Sequence, residues 1–388
     1  MKNRMAFIIF FSVVLIVHIA VNYYLFRHTK PLFNLEGWLG VTLKTAFIFL
    51  VLSYPIGRVM ERFMPSAIAE FIAKIGAFWL GAMLYLTLLF LLFDLARLFY
   101  HFAGFPGFLS PSNGIANFRK VVIGIYSITS IILFAGYLNA LYPRVNKLNI
   151  KTSKNLKGVE KLTIGMASDI HLGTIISNGR LERFVAMMNE QKPDIILLAG
   201  DIFDEDLGPV IKNDMGKQLS RLKAPLGVYA VTGNHEYIGG VEPAVKYLED
   251  HNIKVVRDTT FVVGDFLNIV GREDRQAQVM GGIARKPLDQ IINGVNSQFF
   301  TILLDHQPYK LNEALENGID LQLSGHTHHG QMFPFNLITK SIFEVSKGLK
   351  RLDNTYVFVS TGFGTWGPPV RIGNRPEIVV LEVTGRTN

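Results

Sequence analysis

An α/β domain of two packed sheets flanked by helices, preceded by an all-α transmembrane region of about four helices, is the architecture this sequence predicts. Three observations carry it. The first 142 residues contain four long apolar runs, whereas from residue 161 onward apolar residues come in short β-like runs separated by amphipathic or turn-rich segments. Those short runs are too many for one simple parallel sheet, so two stacked sheets covered by helices is the arrangement that buries them. Hydrophobic residues make up 49% of the chain and charged residues only 18%, a balance that places part of it in lipid.

The long apolar runs lie at about 6–26, 38–57, 75–93 and 121–142, each near the roughly 20 residues that cross a bilayer as a helix. The first follows Lys2 and Arg4 like a signal peptide, but it is long and lacks a small-x-small cleavage site. The second contains Lys44, which has to snorkel to an interface, and Pro55 near its far end. His18 in the first span is expected to hydrogen-bond to a neighbouring helix. The stretch FYHFAGFPGF at 99–108 reads as an interfacial aromatic belt, followed by the turn-rich LSPSNG. Orientation follows from the basic flanks. Lys2, Arg4, Arg58, Arg62, Lys74, Arg144, Lys147, Lys151, Lys154 and Lys157 fall on one side, and Arg27, Lys30, Arg97, Arg119 and Lys120 on the other. Ten against five puts both termini in the cytoplasm.

Residues 143–160, PRVNKLNIKTSKNLKGVE, are basic and polar and read as a juxtamembrane linker whose lysines suit anionic lipid headgroups, at about 1 kcal/mol each. The domain that follows spans 161–388. KLTIGMAS, PDIILLAG and GVYAVTG are its first strands, and RLERFVAMMNE between them places Leu181, Phe184, Val185 and Met188 at helical spacing. VVRDTTFVV, FLNIVG, FFTILLD, DLQLSG, YVFVSTG and EIVVLEV add further strands. The net charge of +8 suits an anionic partner without choosing among lipid, phosphorylated substrate and nucleic acid. With no cysteine, disulfides and thiolate ligands are excluded, so a metal here has to use His, Asp, Glu and Asn.

Polar ligand-type residues follow five of these strands. KLTIGMAS leads to Asp169 and His171, PDIILLAG to Asp201, GVYAVT to Asn234 and His235, FFTILLD to His306, and DLQLS to His326 and His328. Sites in open α/β sheets form beyond the carboxyl ends of strands. Each match alone is weak, but the ordered set D-x-H, G-D-x-x-D, G-N-H-E, a lone His and G-H-T-H is specific. Three histidines within the nine residues LSGHTHHGQ point the same way, because crowded imidazoles are stable when neutral and bound to a cation.

This set resembles the calcineurin-like metallophosphoesterases over 161–385, and the tail GHTHHGQMFPF and VSTGFGTWGPPVRIGNRPEIVVLEV resembles a membrane-associated bacterial branch of them. His329 stands where that branch tends to have glycine. The resemblance implies a four-layer αββα sandwich around two divalent metal ions. It assigns Asp169, His171 and His328 to one ion, Asn234, His306 and His326 to the other, and Asp201 to both. It also implies Mn as the favoured metal, with Fe, Co or Zn compatible with the same donors. Two cations can clamp an in-line phosphoryl displacement, and a carboxylate has the two oxygens needed to span them. His235, beside Asn234, is the residue expected to protonate the leaving oxygen or to stabilise the transition-state phosphate, the alternative being that it only orients a ligand. Asp204 and Glu236 are expected to orient imidazoles, with Asp305 either a further orienting group or a strand-end residue, His329 solvated or adjacent to the ligands, and Arg371 and Arg375 either reaching a substrate phosphate or solvated at the surface.

The function expected is hydrolysis of a phosphodiester or diphosphate bond in an amphiphilic, lipid-linked substrate at the inner face of the bacterial inner membrane, with no nucleic-acid binding. Resemblance suggests UDP-2,3-diacylglucosamine of lipid A synthesis. The alternatives are an anchored phosphatase or nucleotide phosphodiesterase with a soluble substrate, and a non-catalytic membrane sensor or scaffold.

Overall fold

A computed structural model describes residues 2–64, 66–103, 115–154, 156 and 159–385. The loop expected at LSPSNG, the aromatic belt beyond residue 103, and Lys157 lie outside the described residues. The chain divides into two compact units, Met1–Tyr137 with Gly367–Val370, and Leu138–Trp366 with Arg371–Asn388.

The first unit is helical. Its elements are α1 (Lys2–Phe33), α2 (Trp38–Phe63), α3 (Ala67–Phe102) and most of α4 (Ile115–Leu141). Among the described residues, α2, α3 and the stretch Asn117–Leu141 of α4 are long and apolar enough to cross a membrane. The expected span 6–26 falls within α1, where several side chains are outside the description. A small core of Leu25, Phe47, Trp79, Met83, Leu86, Phe90, Val122 and Ile125 holds the helices together, while Val14, Ile16, Leu92, Ile131 and Phe134 face outward. Polar groups inside this unit are satisfied by neighbouring helices. His18 Nε2 is 3.1 Å from the Val51 carbonyl, and Trp79 Nε1 donates to Asn22 Oδ1 at 3.0 Å.

The second unit has four layers, as the sequence predicts. One sheet runs in the order β1 (Arg144–Lys151), β12 (Glu377–Thr384), β2 (Lys161–Ala167), β3 (Ile195–Ala199), β4 (Val228–Val231) and β5 (Lys254–Val255). The other runs β10 (Gly348–Leu352), β11 (Thr355–Val359), β9 (Leu321–Ser324), β8 (Phe300–Leu304), β7 (Leu267–Gly271) and β6 (Thr259–Val263). The period-2 pattern of β3 explains the layering. Ile195, Leu197 and Ala199 enter the core between the sheets, where they meet Ile302, Leu304 and Leu323. Ile196 and Leu198 point to the other face, under the four buried residues of α5 (Asn178–Glu190) that its helical spacing predicts. The helices α6 (Gly208–Lys212), α7 (Met215–Leu219) and α9 (Val241–Glu249) complete that outer layer, and α10 (Leu288–Ile291) and α11 (Asn312–Glu316) cover the far sheet.

Two segments depart from the sequence reading. The basic stretch 143–160 is not simply a linker: Arg144–Lys151 form β1, parallel to β12, with Ile150 fully buried. As an edge strand it turns Lys147 and Lys151 to solvent, the charged decoration that keeps sheet edges from pairing further, and this hides the strand from a search for apolar runs. The run VVRDTTFVV is two strands in different sheets, β5 and β6, with Asp258 turning between them at φ 46°.

Candidate metal centre

Asp169 and His171 follow β2, Asp201 follows β3, and His306 and the pair His326 and His328 follow β8 and β9. Asn234 and His235 open α8 (Asn234–Gly239) directly after β4. Because β2, β3 and β4 run parallel in one sheet and β8 and β9 parallel in the other, their carboxyl ends bring these residues to one place. Asp169, His171 and His328 form one cluster of donor atoms lying within 4.8 Å of one another, and Asp201, His306 and His326 form a second. Asn234 joins the second through its Oδ1, 2.8 Å from His326 Nδ1. The Oδ2 of Asp201 is 3.1 Å from His306 Nε2 and 4.0 Å from His171 Nε2, so this carboxylate stands between the clusters.

The backbone is strained to present these groups. Asp169, His171, Asp201, His326 and His328 all have φ between 44° and 67°, a left-handed region that costs a non-glycine residue of order 1–3 kcal/mol and concentrates at functional sites. Two glycines make room. A Cβ on Gly325 would stand 2.3 Å from Asp169 Oδ2, and one on Gly233 would stand 2.1 Å from Asp201 Oδ1.

Burial sets the charge states. Burial first, then the nearby His235, His306 and Arg371, holds His171 well below the usual imidazole range. His328 is lowered in the same direction by burial and Arg371, and His326 is brought to about 3 by burial and His306. These three rings are therefore neutral, the form that ligates a metal. His306 and Asp201 behave oppositely. Burial disfavours charge on both, yet each holds the other's charge, so His306 is raised well above its ordinary range and Asp201 lies well below its own.

Divalent cations fit this donor set. His171 Nε2 and His328 Nε2 face each other at 2.9 Å, and His306 Nε2 meets Asp201 Oδ2 at 3.1 Å without a well-directed hydrogen bond. A third grouping, His171, Asp204 and His235, also has close donor atoms. It presents the opposite nitrogen of His171, with Nδ1 3.9 Å from Asp204 Oδ1, and so reads as the support behind the first cluster.

His235 is 5% exposed, and its Nδ1 faces Asp204 at 3.6 Å and Glu205 at 3.9 Å. Burial opposes its charge, but Asp201, Asp204, Glu205 and Glu236 together raise it above the ordinary imidazole range. Its ring lies 5.8 Å from that of Trp366, a neighbour which the sequence reading overlooked although it stands in the GTWGPP loop. Glu205 lies outside the G-D-x-x-D motif that marks its neighbour Asp204, so the sequence gives no signal for it.

Several supporting residues have other work than expected. Glu236 orients no imidazole. Its carboxylate accepts the backbone N–H groups of Asp201, Ile202, Phe203 and Gly233, fixing the loop that carries Asp201. Its spacing three residues after Gly233 is the signature of a helix cap that reaches back to the chain entering the helix. His329 is not solvated: it is 2% exposed, with Nδ1 3.0 Å from Ser346 Oγ. Asp305 is buried between Arg272 and Arg285. Arg371 is neither free for a phosphate nor at the surface. It is fully buried and donates to the carbonyls of Thr361 and Gly364, each at 2.6 Å, with Nη2 3.0 Å from His328 Nδ1. Arg375 donates to the Tyr142 carbonyl at 2.8 Å.

The sequence profile of the calcineurin-like phosphoesterases matches residues 162–330, the stretch that holds all of these donor residues. An uncharacterized metallophosphoesterase of Aquifex aeolicus is 34% identical over 273 residues, which is 70% of this chain and all of that protein. A Danio rerio transmembrane protein with a metallophosphoesterase domain is 32% identical over 68% of this chain and 62% of its own length. An uncharacterized metallophosphoesterase of Campylobacter jejuni is 29% identical over 98% of this chain and all of that protein.

Proposed function

Since this chain belongs to the calcineurin-like metallophosphoesterases and is a metal-dependent phosphoester hydrolase, we propose that it cleaves a phosphodiester or diphosphate bond in an amphiphilic, lipid-linked substrate at a membrane surface. The observation that supports the reading is a donor constellation with one shared carboxylate, Asp201, in a chain that also carries helices able to cross a bilayer. One ion would be held by Asp169, His171 and His328, the other by Asn234, His306 and His326, with Asp201 serving both. Manganese suits these oxygen and nitrogen donors, as do iron, cobalt and zinc. Bound there, the cations supply neutralisation of phosphate charge and a more acidic water.

The chain's own residues do the rest. Glu236 and the two glycines fix the loops so that the donors converge without rearrangement. His235 lies outside the two principal donor clusters, with Asp204 and Glu205 behind its Nδ1, so its Nε2 is free to hold the proton delivered to the leaving oxygen. The ring of Trp366 stands beside it. UDP-2,3-diacylglucosamine is the substrate we favour, hydrolysed on the cytoplasmic face of the inner membrane as the basic flanks of the spans suggest.

The test is a hydrolysis screen of the purified full chain with Mn, comparing phosphomonoesters, soluble phosphodiesters and UDP-linked diacyl lipids. Preference for the UDP-linked lipid over the matching deacylated compound supports the reading. Equal rates on the two would replace it with an anchored enzyme of soluble substrates, and no metal-dependent turnover on any would sink it. A reporter fused after Asn388 that is active only in the cytoplasm should be active, and one that requires export should not.

A further inference from the structure

After the last of the donor histidines, α12 (Phe335–Ile342) has the sequence FNLITKSI. We propose that this helix lies on an anionic lipid surface and docks the α/β domain there. None of its residues is buried, yet Phe335, Leu337, Ile338 and Ile342 are apolar and 40–56% exposed. Phe335, Ile338 and Ile342 recur at i, i+3 and i+7 and so share one face, while Lys340 projects from the opposite one. A water-exposed domain ordinarily turns such a face inward, as α5 does with its own four apolar residues.

Charge selects the occupant. Over residues 335–351 the basic groups are Lys340, Lys347, Lys350 and Arg351, and the single acidic group is Glu344, which pairs with Lys350 at 2.8 Å. An exposed apolar stripe with Lys340 on the opposite face and further cations in the segment that follows is the pattern of a helix lying in the headgroup layer of an anionic bilayer. A second copy of this chain would bring the same four cations against these four. The same chain carries helices long and apolar enough to cross a membrane, which would tether the domain to a bilayer.

The helix also adjoins the chemistry. Phe343, which ends it, is buried with its ring 6.0 Å from that of His326 and 4.9 Å from that of Tyr309. A docked α12 therefore brings the headgroup layer beside the metal centre, where the phosphate of a lipid-linked substrate would lie while its acyl chains stay in the bilayer. That consequence rests on the substrate reading above; the docking does not.

The absence of cysteine makes the test direct, because one introduced cysteine is the only labelling site in the full chain. Ile338→Cys, Ile342→Cys and Lys340→Cys would each carry a nitroxide, in nanodiscs of phosphatidylcholine with or without phosphatidylglycerol. Electron paramagnetic resonance then compares accessibility to oxygen, which partitions into lipid, with accessibility to a water-soluble nickel chelate. The expected result with phosphatidylglycerol is that labels at 338 and 342 favour oxygen several-fold over the label at 340. Neutralising Lys340, Lys347 and Lys350 to glutamine should move the label at 338 back toward water. Two results would overturn the proposal: equal nickel accessibility at all three positions in both lipids, or protection of 338 and 342 from both reagents, which would mean that protein covers the face. Hydrolysis of the deacylated substrate, measured on the same discs, reports on the metal centre separately, so docking without lipid preference would sink the substrate and leave the surface.

Discussion

In one half of the metal centre His306 turns its Nδ1 to the carbonyl of Ala199 at 2.7 Å; in the other, His328 turns its Nδ1 to the guanidinium of Arg371 at 3.0 Å. Both are buried histidines following strands of the same sheet. The difference lies behind the rings. A carbonyl accepts the Nδ1 proton, so when a cation replaces the second proton that His306 holds for Asp201, Nε2 offers its lone pair with no other contact disturbed. A guanidinium can only donate, so the proton of the neutral His328 ring goes to Nε2, the atom that faces His171 and Asp169. Binding an ion through that atom requires the proton to move to Nδ1, which breaks the contact with Arg371. Equal residue types thus give unequal half-sites, and the half backed by Ala199 should hold its ion more tightly.

The largest effect comes from removing what the halves share. Asp201→Asn should lower turnover on the order of 10³-fold or more, because it weakens both ions and each contributes several kcal/mol of charge stabilisation. Metal content and turnover measured on the same folded sample check this; full occupancy at near wild-type rate would remove Asp201 from its shared role. Next is a residue assigned to neither half. His235→Ala should slow a substrate with a poor leaving group by about 10²–10⁴-fold with both ions retained. For an activated aryl ester, whose leaving oxygen needs no proton, the loss should shrink. Parallel losses on both substrates together with lost metal would make His235 a support of the site instead.

The glycines separate the halves by position. Gly233→Ala pushes a methyl group onto Asp201 and should empty both half-sites, whereas Gly325→Ala pushes one onto Asp169 and should empty only the half that uses Asp169, His171 and His328. Counting ions per chain distinguishes the two outcomes. No ion in either variant would show that the halves do not bind independently.

Much of this was legible because strands announce themselves. Apolar runs ending in Asp, Asn or His located β2, β3, β4, β8 and β9 and the Asp and His residues of the two principal clusters, since a residue just past a parallel strand is delivered to the same edge whatever the intervening loops do. What stayed hidden was tertiary. Arg371 sits in a glycine- and proline-rich loop that looks exposed, and only packing reveals that its guanidinium satisfies buried carbonyls beside His328. The strands β1 and β10 carry exposed lysines and arginine because each is an edge, and α12 escapes notice because its apolar residues are few and its neighbours are a turn and a strand. In the first unit, lengths and hydropathy located the helices, but nothing in the sequence chose the pairing of Asn22 with Trp79.

The smallest effect, and the most direct probe of the asymmetry, is on affinity within one half. His306→Ala leaves the Arg371-backed half intact, and His171→Ala leaves the Ala199-backed half intact. Calorimetric titration of Mn into the two variants should find the remaining ion about 10-fold weaker in the first, within the 10–100-fold range that groups behind a ligand impose. Adding Arg371→Gln to the His306→Ala chain should recover most of that difference, because the glutamine carbonyl can accept the His328 Nδ1 proton that the guanidinium refuses. The same change removes charged hydrogen bonds to the Thr361 and Gly364 carbonyls, so the melting temperature should fall even as the ion binds more tightly. A merely structural arginine would lower both together. Affinity and stability moving in opposite directions is therefore the outcome that identifies the guanidinium as the source of the inequality, and a joint loss would return Arg371 to the role of a buried clamp on the loop.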